Sequence, residues 1–193
     1  MSDDATRLRN RNRLLLIGLF ALFFGSMALA GLLRFSGWRP AGMKNHGELL
    51  EPPGDLRQVT PQLADGGDYR WEPAARRWRI AVMPPADCGA ACAELARELD
   101  VVWQLFGKDA DDVHVLWICG EPGCLPPAGA PRPGSLRVLR PSAALRAGLP
   151  RADDPRGVPA YVIDPYGFVI LRYPPGFDPA GLRADVARLL KVK

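Results

Sequence analysis

The sequence predicts an α/β domain carried behind one apolar N-terminal helix, and three observations predict it. An unbroken apolar run of 20 residues, from Leu14 to Leu33, follows four arginines, Arg7, Arg9, Arg11 and Arg13. Two short continuous apolar stretches, Ile80-Ala81-Val82-Met83 and residues 113–119, flank a helical pattern over residues 90–106. A strand-turn-strand unit and a capped helix then close the chain. Strands and helices that alternate in this way build a sheet covered by helices on its faces.

At about 1.5 Å per residue the first run spans roughly 30 Å, the hydrocarbon thickness of a bilayer. A signal-peptide core is shorter, about 7–15 residues. Ser26-Met27-Ala28 and Ala28-Leu29-Ala30 leave cleavage open, but residues 34–43 offer no clean small-residue site, and the reading is an uncleaved anchor. The arginine cluster is expected to stay in the cytoplasm, which sends everything after Leu33 outward. The chain is thus expected in a bacterial inner membrane, single-pass, with its C-terminal domain in the periplasm. The expected division is a basic tail (1–13), a transmembrane helix (14–33), a juxtamembrane spacer (34–55) and a folded domain (56–193).

The formal net charge of +4 misleads about partners. Four of the 25 basic and two of the 21 acidic residues precede the run, which leaves 21 against 19, alternating in sign. No basic stripe with aromatic platforms is present, so no nucleic acid is expected. Twenty prolines and twenty glycines cluster in turns without reaching low-complexity levels. Trp38 is a candidate interfacial anchor in the spacer, where Pro40, Gly42, Gly47, Pro52, Pro53 and Gly54 argue against long regular structure.

Within the domain, residues 68–78 alternate weakly around Glu72-Pro73-Ala74 and read as a hairpin. A buried strand ending at Met83 is stopped by Pro84-Pro85, and Asp87-Cys88-Gly89 opens a helix over 90–106. That helix sets Leu95, Leu99, Val102 and Phe106 on one face and ends at Gly107. Residues 113–119 read as a second buried strand, followed by a Pro/Gly loop, a short strand at 136–139 and a turn or two of helix at 142–147. Strands at 160–163 and 168–173 are joined by Asp164-Pro165-Tyr166-Gly167, which has turn chemistry at every position. Asp178 and Pro179 open a last amphipathic helix running to Leu190.

The chemistry lies in four cysteines. Cys88-Gly-Ala-Ala-Cys92 falls where a buried strand hands over to a helix. The free N–H groups and dipole of a helix start favour an anion, so a thiolate there is stabilised. Three intervening residues set the second sulfur about one turn on, where the pair either closes a disulfide or binds Cu(I). Cys119 ends the neighbouring strand, and Cys119-Gly-Glu-Pro-Gly-Cys124 is a second closely spaced pair. Pairing 88 with 92 and 119 with 124 is the simplest of three arrangements. A sulfur relay between the pairs is the alternative, and inert staples are a third reading.

Strand, Cys-x-x-x-Cys at a helix start, second strand, then Gly157-Val-Pro159-Ala-Tyr-Val-Ile-Asp164-Pro-Tyr-Gly167 resembles the thioredoxin-like fold. More narrowly it resembles the Sco/SenC group of membrane-anchored proteins that help assemble cytochrome c oxidase, over roughly residues 56–193. The short Asn45-His46-Gly47-Glu48-Leu49-Leu50 stretch resembles a segment of small oxidase-associated proteins. The resemblance implies a central mixed sheet flanked by helices, with Cys88, Cys92 and Pro159 as site residues. It also implies a cis bond before Pro159 that turns this proline toward the cysteines. Cys88 and Cys92 would be the ligands if Cu(I) is bound, and a respiratory oxidase subunit or another assembly factor would be the partner.

One departure matters. Sco proteins complete their copper site with a histidine in the loop before the strand matching residues 160–163, and here residues 151–159 contain none. His114, at the start of its strand, reads as a core histidine roughly 17 Å from the cysteine end. His46 reads as a solvated spacer residue that could reach the site only by swinging in. Three functions follow: an oxidase assembly factor working by thiol-disulfide exchange or Cu(I) handling, a general thiol-disulfide oxidoreductase, or a degenerate partner-binding domain. The topology is checked by a reporter fused after Lys193. An export-dependent reporter should be active, and activity in the cytoplasm would overturn the orientation.

Overall fold

The computed structural model describes residues 2–36, 44–85, 89–119, 126–127 and 134–192, and for residues 2–9 the backbone alone. The chain divides into two compact units, Met1–Lys44 and Asn45–Lys193. The first is one helix, α1 (Ser2–Phe35), within which Asn10–Phe35 is long and apolar enough to cross a membrane. Its apolar side chains are exposed on every face, from Leu14 through Leu33, as a helix surrounded by lipid requires. Trp38 lies outside the described residues.

The second unit is built on a six-stranded mixed sheet in the order β1-β6-β5-β2-β3-β4. The strands are β1 (Glu48–Asp55), β2 (Trp78–Val82), β3 (Val113–Ile118), β4 (Leu136–Leu139), β5 (Ala160–Ile163) and β6 (Phe168–Tyr173). β2, β3 and β4 run parallel; β5 lies antiparallel to β2, β6 antiparallel to β5, and β1 antiparallel to β6. Every residue of β3 is buried, which is why its sequence is continuously apolar rather than alternating.

Alternation along the strands sorts the core onto two faces. Ile80 and Val82 of β2 and Val113, Val115 and Trp117 of β3 pack under α2 (Gly89–Gln104) and α4 (Pro179–Leu189). The α2 residues Leu95, Leu99 and Val102, with Phe106 beyond its end, are all buried there, as their helical spacing predicts. Ala81 and Met83, with Leu116 and Ile118, face the other way, under α3 (Ala143–Gly148) and the irregular segment carrying Leu56, Tyr69 and Trp71. At the last hairpin one Asp164 oxygen accepts from the backbone of Tyr166, Gly167 and Phe168. Asp178 caps α4 by accepting from Ala180 N–H at 2.9 Å.

Two expectations are corrected. The segment 34–55 is not all spacer, because β1 occupies Glu48–Asp55 and pairs with β6. Its prolines are tolerated because β1 is an edge strand, and the register shifts between Leu49 and Gly54, across Pro52-Pro53. The second is the hairpin at 68–78. Those residues instead form an isolated bridge between Gln62 and Asp68 and a single 3₁₀ turn, Pro73–Ala75. Glu72 and Arg76, on either side of that turn, adopt left-handed backbone, which breaks the alternation.

The entry to the sheet is clipped to α4. The buried carboxylate of Asp185 accepts from the backbone of His46 (2.6 Å) and Gly47 (3.0 Å), from Tyr173 Oη–H (2.8 Å) and from Arg188 (3.0 Å). Burial pushes its pKa up, but the Gly47 N–H, the His46 ring, the Tyr173 hydroxyl and the His46 N–H together hold it below the ordinary value. Gly47 is required for closeness: a Cβ there would sit 2.6 Å from the Tyr173 ring. Asp185→Ala leaves several buried donors unmatched and is expected to destabilise the full chain by about 3 kcal/mol. Tyr173→Phe should lose about 1 kcal/mol. Thermal unfolding of the detergent-solubilised protein checks both.

Candidate functional site

The register of the sheet gathers the site at one end. Val82 ends β2 opposite Trp117 of β3 and Ala160 of β5. Met83-Pro84-Pro85, Cys119 and Val158-Pro159 therefore emerge together from three adjacent strands. Cys119 directly follows β3 and donates its N–H to Leu139 O at 3.0 Å. Cys92 lies in the first turns of α2. Both sulfurs are almost wholly buried and share one apolar cluster, beside Val82, Val115 and Trp117. Each is disulfide-bonded. Cys88 and Cys124 lie outside the described residues, and with them the expected pairing.

Gly89 opens α2 at φ +47°, a left-handed conformation that suits glycine at the point where the cysteine segment turns into the helix. An open cavity of about 440 Å³ lies at this turn. Met83-Pro84-Pro85 wall one side of it, Ala91 of α2 a second, and Asp153, Asp154 and Val158 of the loop before β5 the third.

That loop is held by charge. Asp154 accepts from the buried Arg172 of β6 at 2.7 Å and from Arg156 at 2.9 Å. Hydrogen bonds from Arg156, and after it from Arg172, keep the Asp154 carboxyl far below the usual carboxylate range. Arg172 also faces Glu48 of β1 at 3.6 Å, and Arg151 pairs with Glu48 at 2.6 Å. Glu48 is held below its ordinary pKa, chiefly by Arg151. Sequence reasoning passed over Arg172, whose position in a strand of apolar residues was the available signal.

Pro159 is buried at the start of β5, next to the loop that walls the cavity. The expected cis bond before it is not found: among the described residues the one cis peptide bond is Glu51–Pro52. Trans is the lower-energy isomer even before proline, by about 0.5–1 kcal/mol, and the chain meets β5 without the exception.

The histidines are placed away from the cavity. His114 pairs in register with Arg79, at the end of the sheet opposite the cysteines. Its Nδ1 lies 2.9 Å from Tyr69 Oη, which also accepts from Arg79 Nε. Burial, reinforced by Arg137, Arg77 and Arg79, lowers its pKa to about 3. It is a neutral core histidine, as the sequence reading favoured. His46 is half exposed but not free to swing, since its Nδ1–H and its backbone N–H are both held by Asp185. Among the described residues no group of three or more His, Cys, Asp and Glu is arranged to hold a metal ion.

His114 sets a pH dependence. Its folded pKa is depressed, so the stability it contributes is present above about 6.5, the unfolded value, and is lost as pH falls toward 3. The denaturation midpoint of the full chain should fall measurably between pH 7 and pH 5. His114→Gln should flatten that slope, and an unchanged slope would mean that another group supplies it.

Comparisons with known proteins agree with this fold. Residues 78–193 match the family model described as transmembrane-like, thioredoxin-like, C-terminal domain, which is more than half of the chain. A sequence search of curated proteins found no match. Among solved structures, yeast Sco1 with copper bound is similar with a TM-score of 0.53 at 16% identity, covering 79% of this chain and 96% of that one. A SCO1/SenC family lipoprotein from Bacillus anthracis is similar with a TM-score of 0.52 at 16% identity, covering 72% and 98%. BsSco, described as a member of the Sco family of cytochrome c oxidase assembly proteins, gives 0.52 at 13%, covering 81% and 100%. At these identities the likeness is one of fold.

Proposed function

We propose that this chain, which belongs to the transmembrane-like, thioredoxin-like C-terminal domain family, is a membrane-anchored assembly factor for a respiratory oxidase that works by thiol-disulfide exchange through Cys88 and Cys92. The observation that carries the reading is the open cavity between the carboxyl end of β2 and the first turn of α2, the two elements that Cys88 links in the sequence. The helix start lowers the pKa of a thiol held there and supplies the nucleophile. Cys92 is 6% exposed, which suits a resolving sulfur and leaves attack to Cys88.

In the forward direction the Cys88 thiolate attacks a client disulfide, forms a mixed disulfide and releases one client thiolate. The Cys92 thiolate then attacks the Cys88 sulfur, expels the second client thiolate and leaves a Cys88–Cys92 disulfide. Two electrons pass to the client, and an external dithiol resets the pair. The oxidase assignment rests on the Sco-like order of motifs, the N-terminal helix and the fold likeness to Sco proteins. On this reading the domain works on the periplasmic side of a bacterial inner membrane, where disulfides persist.

Handling of Cu(I) is the second reading. Two soft thiolates suit Cu(I), and that is the copper state the residues fit. The loop that would have to supply a further ligand offers Asp154, already engaged by two arginines, and no histidine. His46 is occupied by Asp185. Cu(II), which prefers nitrogen and oxygen donors, is expected to form no stable thiolate complex.

The test uses the reduced full chain in detergent. One equivalent should reduce one equivalent of a small-molecule disulfide. Cys88→Ser should abolish this, and Cys92→Ser should trap a mixed disulfide. Unreactive cysteines would make both pairs staples. Cu(I), titrated against a chromophoric competitor, should bind in a manner lost in Cys88→Ser. A coloured, tightly held Cu(II) complex would instead move copper delivery to first place. Oxidase activity in membranes of a deletion strain should return with the wild-type chain and not with Cys88→Ser, whereas equal rescue would remove the oxidase from the reading.

A further inference from the structure

We infer that the trough beside the cysteine helix takes an extended client segment bearing a lysine or arginine near its reactive cysteine, and that Glu98 is the residue that selects it. This rests on the exchange activity proposed above. The cavity at the turn into α2 is not isolated. A second one, of about 380 Å³, shares Ala91, Gly157 and Val158 with it as common wall. Together they form one trough that runs from Met83 past the first turn of α2 to Phe177 and Glu98. Whatever fills the trough lies against the first turns of α2, the helix that carries Cys92 and that Cys88 precedes in the sequence.

Charge gives the occupant its chemistry. Asp154 is matched by Arg156 and Arg172, Asp153 by Arg146, and Glu94 by Arg97. Among the described residues that line the trough, Glu98 is the charged group left without a cationic partner. It is half-buried on α2, one turn after Glu94. Burial, and then the neighbouring Glu94, push its pKa up, as for a carboxylate that lacks a counter-charge. The surface beside it is apolar, formed by Leu95, Pro175 and Phe177. A basic side chain lays its methylene stem along such a surface and sets its cation on the carboxylate. An acidic segment would be repelled by Glu98 and Glu94 together.

The experiment uses the reduced full chain in detergent and three disulfide-containing peptides, identical except for lysine, glutamine or glutamate flanking the cysteines. The lysine peptide should be reduced about 10-fold faster than the glutamate peptide at low salt, with the ratio shrinking as salt rises. Glu98→Gln should bring the ratio to about 2, and Glu98→Lys should invert it, whereas Glu94→Gln should change it less. Equal rates for all three peptides, or an unaltered ratio in Glu98→Lys, would overturn the inference. The same peptides with serine for cysteine, followed by fluorescence anisotropy, separate the two claims. A charge preference in binding without reduction would sink the exchange activity and keep the trough. Reduction with no charge preference in either assay would sink the trough's selectivity and keep the exchange.

Discussion

Arg172 is the residue on which the functional end of this domain depends. A guanidinium that is 1% exposed has left water at a large cost, and carboxylates meet it, Asp154 nearly buried and Glu48 at the surface. Those carboxylates come from two distant places, Asp154 in the loop before β5 and Glu48 at the start of β1. One side chain in β6 thus fixes a loop from one side of the sheet's order and an edge strand from the other. Its Nε finds no partner, so the arrangement is not optimised for hydrogen bonding alone. It holds the loop that walls the cavity beside the start of α2. Arginine near the end of β6, between Leu171 and Tyr173, makes sense as a positional device.

The second fastening, at Asp185, works on the same end of the sheet. Tyr173 ends β6 and donates to Asp185 in α4, which in turn holds the His46–Gly47 backbone ahead of β1. His46 and Gly47, ahead of β1, are therefore held by a buried acceptor and not by their own propensity. Both fastenings use ionised carboxylates whose pKa values are held below ordinary, so neither loosens across neutral pH.

Much of this was legible in the sequence because it is a matter of period and punctuation. The strands at 160–163 and 168–173, the turn at Asp164, the cap at Asp178 and the apolar face of α2 follow from local patterns, and the structure has each of them. What was missed lies where tertiary contacts override local signals. β1 contains two adjacent prolines and a glycine and reads as a spacer until β6 is beside it. The 3₁₀ turn at Pro73 mimics a hairpin because alternation over a few residues does not reveal what the backbone does at Glu72 and Arg76. Of the site, Cys92 and Cys119 share one buried cluster, while Cys88, which strand direction is expected to set beside Cys119, lies outside the described residues. The charged lining of the trough and the arginine behind its loop were not legible, since Glu98 and Arg172 acquire meaning only when residues far apart in the chain are brought together. The cis proline was carried over from a family likeness and not from these residues, and it is absent.

The loop before β5 is where the chemistry of this chain parts from the resemblance that first suggested it. In place of a histidine it carries two aspartates and two arginines, whose own charges balance and which are each held in an ion pair. A neutral, doubly fastened loop neither adds a nitrogen donor nor repels a thiolate. On the proposed reading, the helix start is then the main electrostatic partner of a Cys88 thiolate. That favours reactions in which the thiolate is the working species, which are exchange with a disulfide or capture of a soft cation by sulfur alone. The same neutrality leaves Glu98 as the unmatched charge along the trough. The residues that weaken the case for a complete copper site are thereby the ones that make room for recognition of a polypeptide.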